Sequence, residues 1–438
     1  MPIRGTPNFD IEQIAATAPS LWRRGFVVTA SAAAFGGSAL AQGTARAAAV
    51  RTDASSLPPY GNSTLPSGIR SRIVNNINGL AMHVLEAGFE AKGRPCILLL
   101  HGFPELAYSW RKVLLPLAAA GYHAVAPDQR GYGRTTGWDD HYDGDLDSFR
   151  LPNLVRDALG LVSALGYRCV AAVVGHDFGS PVAAYCAVLR PDVFRSVVLM
   201  SAPFGGPPPL AFNSAEEGTQ AAAAAPSPDK VFEDLAKLER PRKHYQRYYG
   251  TREADDNMRR APQGIHAFLR AYYHFKSADW KQNKPFRLAS FTAGELAKMP
   301  TYYIMDLDKG MAETVAPQMP SAAEIAACRW LSDDELAVYA AEFDRTGFQG
   351  GLQWYRCTGG RYTAELETFS GRTIDVPACF ISGKSDWGVY QNPGALERMQ
   401  SGACTQWRGT YLVEGAGHWV QQEQPEEVRR LLLEFLRR

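Results

Sequence analysis

The chain has almost no excess charge of either sign, with 46 Lys and Arg against 45 Asp and Glu over 438 residues. That balance removes any global electrostatic pull toward nucleic acid or an anionic membrane, and it suits a small neutral partner better. Paired cysteine spacing is also missing. The seven cysteines, Cys96, Cys169, Cys186, Cys328, Cys357, Cys379 and Cys404, are odd in number and scattered. With no CxxC pair and no histidine cluster of zinc type, neither a disulfide framework nor a structural metal is expected, and the chemistry proposed below calls for no cofactor. Cys96, Cys169 and Cys379 lie in or beside apolar runs and read as small buried hydrophobes. A long apolar run is lacking too. The stretch from Gly25 to Ala41 is broken by Gly36, Gly37 and Ser38, too short and too polar to span a bilayer, so no stable membrane insertion is expected.

What precedes that stretch is informative. Trp22-Arg23-Arg24-Gly25-Phe26 introduces it, and small residues end it at Ala39-Leu40-Ala41 and Ala47-Ala48-Ala49. Residues 1–49 resemble a twin-arginine export signal, which implies a periplasmic or extracellular destination; a leader kept in the cytoplasm is the alternative. Residues 50–71, rich in Ser, Pro and Gly, read as a linker.

The rest of the chain alternates. A small hairpin pattern around Asn75 to Gly79 opens it, followed by an unbroken apolar strand, Cys96 to Leu100, that runs into His101-Gly102-Phe103-Pro104. Helical periodicity at 108–119, a strand at 123–127, a helix at 152–165, a strand from Val170 to Val174 and another from Arg195 to Met200 follow. Strand and helix in regular turn indicate an α/β protein with a mostly parallel sheet covered on both faces. The alternation ends near Pro203. Residues 205–369 show helical periodicity broken by proline, without clear strand runs, and read as a helical cap inserted between sheet segments 72–204 and 370–438. Strands resume at Val376 to Ile381 and Trp407 to Val413, and the helix from Pro425 to Leu436 sets Val428, Leu431, Leu432 and Phe435 on one face.

The most informative motif is Val173-Val174-Gly175-His176-Asp177-Phe178-Gly179. It sets a carboxylate at the strand-to-helix elbow where serine is usual, with glycines two residues to either side for the sharp turn. Carboxylate attack on an ester yields only a mixed anhydride, whereas attack on an epoxide or halide carbon yields a hydrolysable ester. An ordinary turn aspartate at a helix start would have the same spacing. The landmarks that follow favour catalysis: Ser382-Gly383-Lys384-Ser385-Asp386 ends a strand, and Gly417-His418-Trp419 follows the last one. Nucleophile, acid and histidine stand in the chain order of the α/β-hydrolase fold, with Asp386 orienting His418 and His418 taking a proton from water.

With His101-Gly102-Phe103-Pro104-Glu105, Tyr108-Ser109-Trp110-Arg111 and Gly175-His176-Asp177-Phe178-Gly179, residues 72–438 resemble the soluble epoxide hydrolase family. The resemblance implies an eight-stranded sheet with an inserted cap and a small apolar epoxide and water as reactants. It also implies backbone oxyanion donors at Phe103 and Phe178, with a cis peptide before Pro104, and two cap tyrosines that protonate the epoxide oxygen. Phe348-Gln349-Gly350-Gly351-Leu352-Gln353-Trp354-Tyr355 matches the segment bearing the second, which makes it Tyr355. His244-Tyr245-Gln246-Arg247-Tyr248-Tyr249 matches the first, with Tyr245 preferred over Tyr248 and Tyr249. Trp110, Phe178, Trp354, Tyr302 and Tyr303 are expected around an apolar pocket. A haloalkane dehalogenase shares the aspartate nucleophile but commonly places a halide-binding indole next to it, where this chain has Phe178. A serine esterase lacks a serine at the elbow, and a binding protein without turnover leaves the full catalytic set unexplained.

Overall fold

In a computed structural model, residues 57–61, 64–210 and 228–437 are described. The expected export signal at 1–49, linker residues 50–56, 62 and 63, and nearly all of the alanine-rich patch Gln220 to Pro228 lie outside them.

An eight-stranded sheet forms the centre, ordered β1-β2-β4-β3-β5-β6-β9-β10. Its first two strands, β1 (Arg70–Ile77) and β2 (Leu80–Ala87), make an antiparallel hairpin. The two-residue turn Asn78-Gly79 has φ of 49° and 84°, the left-handed pair that matches the twist of the strands. β2 pairs antiparallel with β4 (His123–Pro127), and every later neighbour is parallel: β3 (Cys96–Leu100), β5 (Ala172–His176), β6 (Val197–Met200), β9 (Ile374–Gly383) and β10 (Cys404–Val413). The runs CILLL, AVVGH and VVLM are buried at every position because helices cover both faces, which is why they carry no alternation. β10, at the edge, is exposed or half-buried over most of its length and is correspondingly polar.

Helices α1 (Arg111–Ala119), α2 (Leu151–Ala164) and α3 (Gly179–Leu189) connect the sheet strands, and the helix Pro425–Leu436 packs on α1 through Val428, Leu431, Leu432 and Phe435. Between β6 and β9 the described chain is mainly helical, but not wholly so. Two three-residue strands, β7 (Arg242–His244) and β8 (Ile304–Asp306), pair antiparallel there, contrary to the strand-free expectation. Segments that short show no period to read. Cys96 and Cys379 are buried in β3 and β9, whereas Cys169 is exposed. The strand begins only at Ala172, which leaves Cys169 in the preceding turn. No helix of the described residues is long and apolar enough to cross a membrane.

Candidate active site

β5 ends at His176, and the chain turns straight into α3, leaving Asp177 at φ 51°. A non-glycine residue in that region is strained by roughly 1–3 kcal/mol, and the turn persists because its surroundings are close-packed. A Cβ on Gly175 would collide with the Gly179 carbonyl, and one on Gly179 with the carbonyls of Leu100 and His101. The elbow thus requires both glycines, and it presents Asp177 above the sheet beside the loop after β3.

That loop carries a cis peptide between Phe103 and Pro104. The Phe103 amide donates to Asp177 Oδ1 at 3.0 Å; the Phe178 amide, one residue past Asp177, makes no hydrogen bond to the carboxylate. On the other side, Asp177 Oδ2 lies 3.2 Å from His418 Nε2, in contact but off the line of a hydrogen bond. His418 Nδ1 is 3.1 Å from Asp386 Oδ1, and Asp386 is itself fixed by the Gly388 amide at 2.7 Å and the Ser382 hydroxyl at 3.0 Å. The three members therefore stand in sequence, with His418 between Asp386 and Asp177. Burial alone would push the Asp177 carboxyl pKa up, but His418, then Lys276 and His176, more than offset it and hold the group well below the usual range. Asp386 is lowered likewise, burial being outweighed by His418, the Gly388 amide and Lys276. Both side chains are acceptors only at neutral pH.

Asp177, Tyr245 and Tyr355 all line one cavity of about 440 Å³, with Phe178 and Trp354 in its wall. The two phenol rings stand 6.1 Å apart. Tyr245 comes from the helix Tyr245–Tyr249 and Tyr355 from the helix Gln349–Arg356. Tyr248 and Tyr249 do not line the cavity, and the Tyr249 hydroxyl is committed to that of Tyr272 at 3.0 Å. Burial, and next the Asp177 charge, raise both cavity phenols well above 10, so each stays protonated and able to donate. The Tyr245 hydroxyl donates to Gln391 Oε1 at 3.3 Å and accepts from Gln246 Nε2 at 3.2 Å; that of Tyr355 has no protein partner among the described residues.

Three expected pocket residues lie elsewhere. Trp110 is fully buried at the end of the short helix Ala107–Trp110 and does not line the cavity, because all four residues of that turn pack into the core. Tyr302 is turned to Asn283, with its hydroxyl 2.8 Å from Oδ1. Tyr303 packs against the Tyr245 ring at 5.2 Å and supports it from behind.

Sequence reasoning missed a supporting layer. His176 Nδ1 sits 2.6 Å from Glu105 Oε2, its Nε2 lies 2.7 Å from the His418 carbonyl, and Gln421 and Gln422 donate to the other Glu105 oxygen. Both Glu105 and His176 stand inside the quoted motifs, so position was available as a signal although a role was not. Glu423 accepts from the amides of Gly417, Trp419 and Ala278 at 2.9, 3.0 and 2.8 Å, pinning the residues on either side of His418.

Residues 95–425 match the family described as the alpha/beta hydrolase fold. Epoxide hydrolase B of Mycobacterium tuberculosis is 32% identical over 375 residues, covering 82% of this chain and 96% of that protein. Among solved structures, an epoxide hydrolase from an endophytic Streptomyces superposes with a TM-score of 0.66 at 30% identity, covering 85% of this chain and 96% of that one. Epoxide hydrolase A from Mycobacterium thermoresistibile gives 0.64 at 31%, covering 84% and 98%.

Proposed function

Since this chain belongs to the epoxide hydrolases of the α/β-hydrolase fold, we propose that Asp177, His418, Asp386, Tyr245 and Tyr355 carry out its hydrolysis of an epoxide to a vicinal diol. Asp177 Oδ2, the oxygen not bonded to Phe103, attacks a ring carbon from behind. The carbon–oxygen bond breaks as a phenol proton passes to the leaving oxygen, which leaves an alkyl ester on Asp177 and a tyrosinate. His418, oriented by Asp386, then takes a proton from water. The hydroxide adds to the ester carbon, and the charge gathers on Oδ1, where the Phe103 amide already points and the Phe178 amide is next in line. Collapse releases the alkoxide, which takes the proton from His418. The carboxylic proton left on Asp177 balances the one the tyrosinate regains.

The observation that carries this reading is the division of the Asp177 carboxylate, with one oxygen on a backbone amide and the other against the histidine, at the wall of a cavity that two phenols share. One turnover in ¹⁸O-water tests it. Label should enter the peptide containing Asp177 while the first diol stays unlabelled at its new hydroxyl; label in the diol alone would mean direct water attack. A chloroalkane run in parallel addresses dehalogenation, which the missing donor on Phe178 argues against. The substrate we infer is a small apolar epoxide, since apolar side chains such as Leu154, Pro181 and Phe204 dominate the cavity wall. Export is also our proposal, supported by Trp22-Arg23-Arg24 and the apolar stretch behind it, and mass analysis of the mature N-terminus in a host with a twin-arginine pathway would test it.

A further inference from the structure

A buried cation beside the site has no part in the scheme above. Lys276 ends the helix Ile265–Lys276 and is 4% exposed. Among the described residues no carboxylate oxygen lies within 4.0 Å of its ammonium. Instead the ammonium stands 5.2, 5.3 and 5.6 Å from the ring centroids of Tyr303, Trp419 and Tyr272. A buried lysine without a contacting counter-ion is costly, and three aromatic faces recover part of the loss. The location makes the cost meaningful: Trp419 stacks edge-on to the His418 imidazole at 4.7 Å, Tyr303 supports Tyr245, and the Lys276 carbonyl accepts the His418 amide at 2.9 Å.

We propose that Lys276 is a positioning residue whose charge favours negative charge on Asp177 and so promotes ester breakdown at the expense of ring opening. The proposal rests on the covalent mechanism above. Ring opening takes charge off Asp177 and passes it to the oxygen held by Tyr245 and Tyr355, so a cation near Asp177 resists it. Ester breakdown starts from a neutral ester and rebuilds that charge on Oδ1, so the same cation assists it. The carboxylates of Asp177, Asp386 and Glu105 act on Lys276 through space, and the rings of Tyr272, Tyr303 and Trp419 face its ammonium. Burial lowers the pKa of the ammonium below its ordinary value, and the three carboxylates offset part of that loss. Of the cations that reach Asp177, His418 exchanges protons during the reaction and His176 is committed to Glu105. Lys276 is left as the spectator charge.

Single-turnover kinetics that resolve the two steps test this in Lys276→Met, Lys276→Gln and Lys276→Arg. The neutral variants should lose about tenfold in ester breakdown with ring opening unchanged or faster, so that covalent ester accumulates, while Lys276→Arg keeps the wild-type ratio of the two rates. An equal fall in both steps in the neutral variants, or a Lys276→Arg shifted as far as Lys276→Met, would overturn the proposal. If the neutral variants do not fold, the wild-type chain carries the test through its Lys276 ¹⁵Nζ resonance, assigned by its loss in Lys276→Arg. An ammonium signal near neutral pH is required, and an amine signal overturns the assignment. A wild-type chain that forms no ester on Asp177 sinks the functional reading; one that forms it while the variants keep the wild-type ratio sinks only the role of Lys276.

Discussion

Replacing either cavity tyrosine with phenylalanine removes one donor to the opening epoxide, but the two replacements should differ in stability. The Tyr355 hydroxyl has no protein partner among the described residues, so Tyr355→Phe breaks no hydrogen bond there and should leave thermal unfolding unchanged or slightly later. Tyr245 is bonded to Gln391 and Gln246. Tyr245→Phe leaves a buried carbonyl oxygen on Gln391 without that donor, which costs on the order of 1–3 kcal/mol. On ring opening both should be severe, because a positioned donor to a developing oxyanion is worth about 2.7–4 kcal/mol, or roughly 10² to 10³ in rate. Ester breakdown does not use the phenols directly and should change by less than about tenfold. Stopped-flow tryptophan fluorescence, with Trp354 in the cavity wall as reporter, separates the steps, and calorimetry gives the stability difference. Equal loss in both steps, or a stable Tyr245→Phe beside a destabilised Tyr355→Phe, would refute the assignment of these hydroxyls.

His418→Gln should open the ring and stall, with the ester-breakdown rate down by about 10² or more; intact-mass analysis after mixing with substrate should show a covalent adduct, and an unmodified mass argues against a covalent route. In Asp386→Asn the side chain keeps its size but no longer fixes the His418 tautomer, so ester breakdown should fall by roughly 10² to 10⁴ with ring opening much less affected, as measured by single-turnover rates. Because the folded chain holds Asp177 and Asp386 below their ordinary range, the stability they add is present above about pH 4 and is lost as pH falls further toward their folded values. Urea midpoints should therefore hold between pH 7 and pH 5 and drop below that. On the alkaline side the raised phenols predict no loss of ring opening before about pH 10; a fall centred near pH 8 would contradict the buried, protonated pair.

The sheet was legible because its interior strands are apolar on both faces and each ends in a loop of distinctive composition. Cys96–Leu100 and His123–Pro127 occur where the pattern put them. The Val170 to Val174 run was displaced by two residues, because the ladder includes Gly175 and His176, which read as turn. The convergence of Asp177, His418 and Asp386 could be anticipated because the elbow and the order of landmarks are local or sequential signals. The choice among Tyr245, Tyr248 and Tyr249 could not be made from sequence, since it depends on which side of a five-residue helix faces the cavity. Trp110 misled for a related reason: it lies close in sequence to Phe103, yet the intervening turn rotates its indole into the core. Glu105 with Gln421, and Tyr245 with Gln391, are partners brought together by the fold from 316 and 146 residues apart, and no periodicity marks them.

How the reaction is divided between the sheet and the helical segment explains why so many backbone groups converge on His418. Asp177, the Phe103 amide and Asp386 all belong to loops at the ends of sheet strands. Tyr245 and Tyr355 both come from the helical segment. The histidine is shared, since its own amide is held by the Lys276 carbonyl, and the Glu423 carboxylate ties Gly417 and Trp419 to Ala278 at the end of the same helix. Gly417 shows how close that contact is, because an added Cβ would meet the backbone of Ser277, Ala278 and Lys276 at 2.5–2.6 Å. The segment that holds the His418 backbone thus belongs to the same helical region that carries the two phenols to the cavity. Ring opening and ester breakdown use different groups, yet both depend on one packed boundary, so a loosened Lys276–Ala278 segment should impair the second step even where every catalytic side chain is intact.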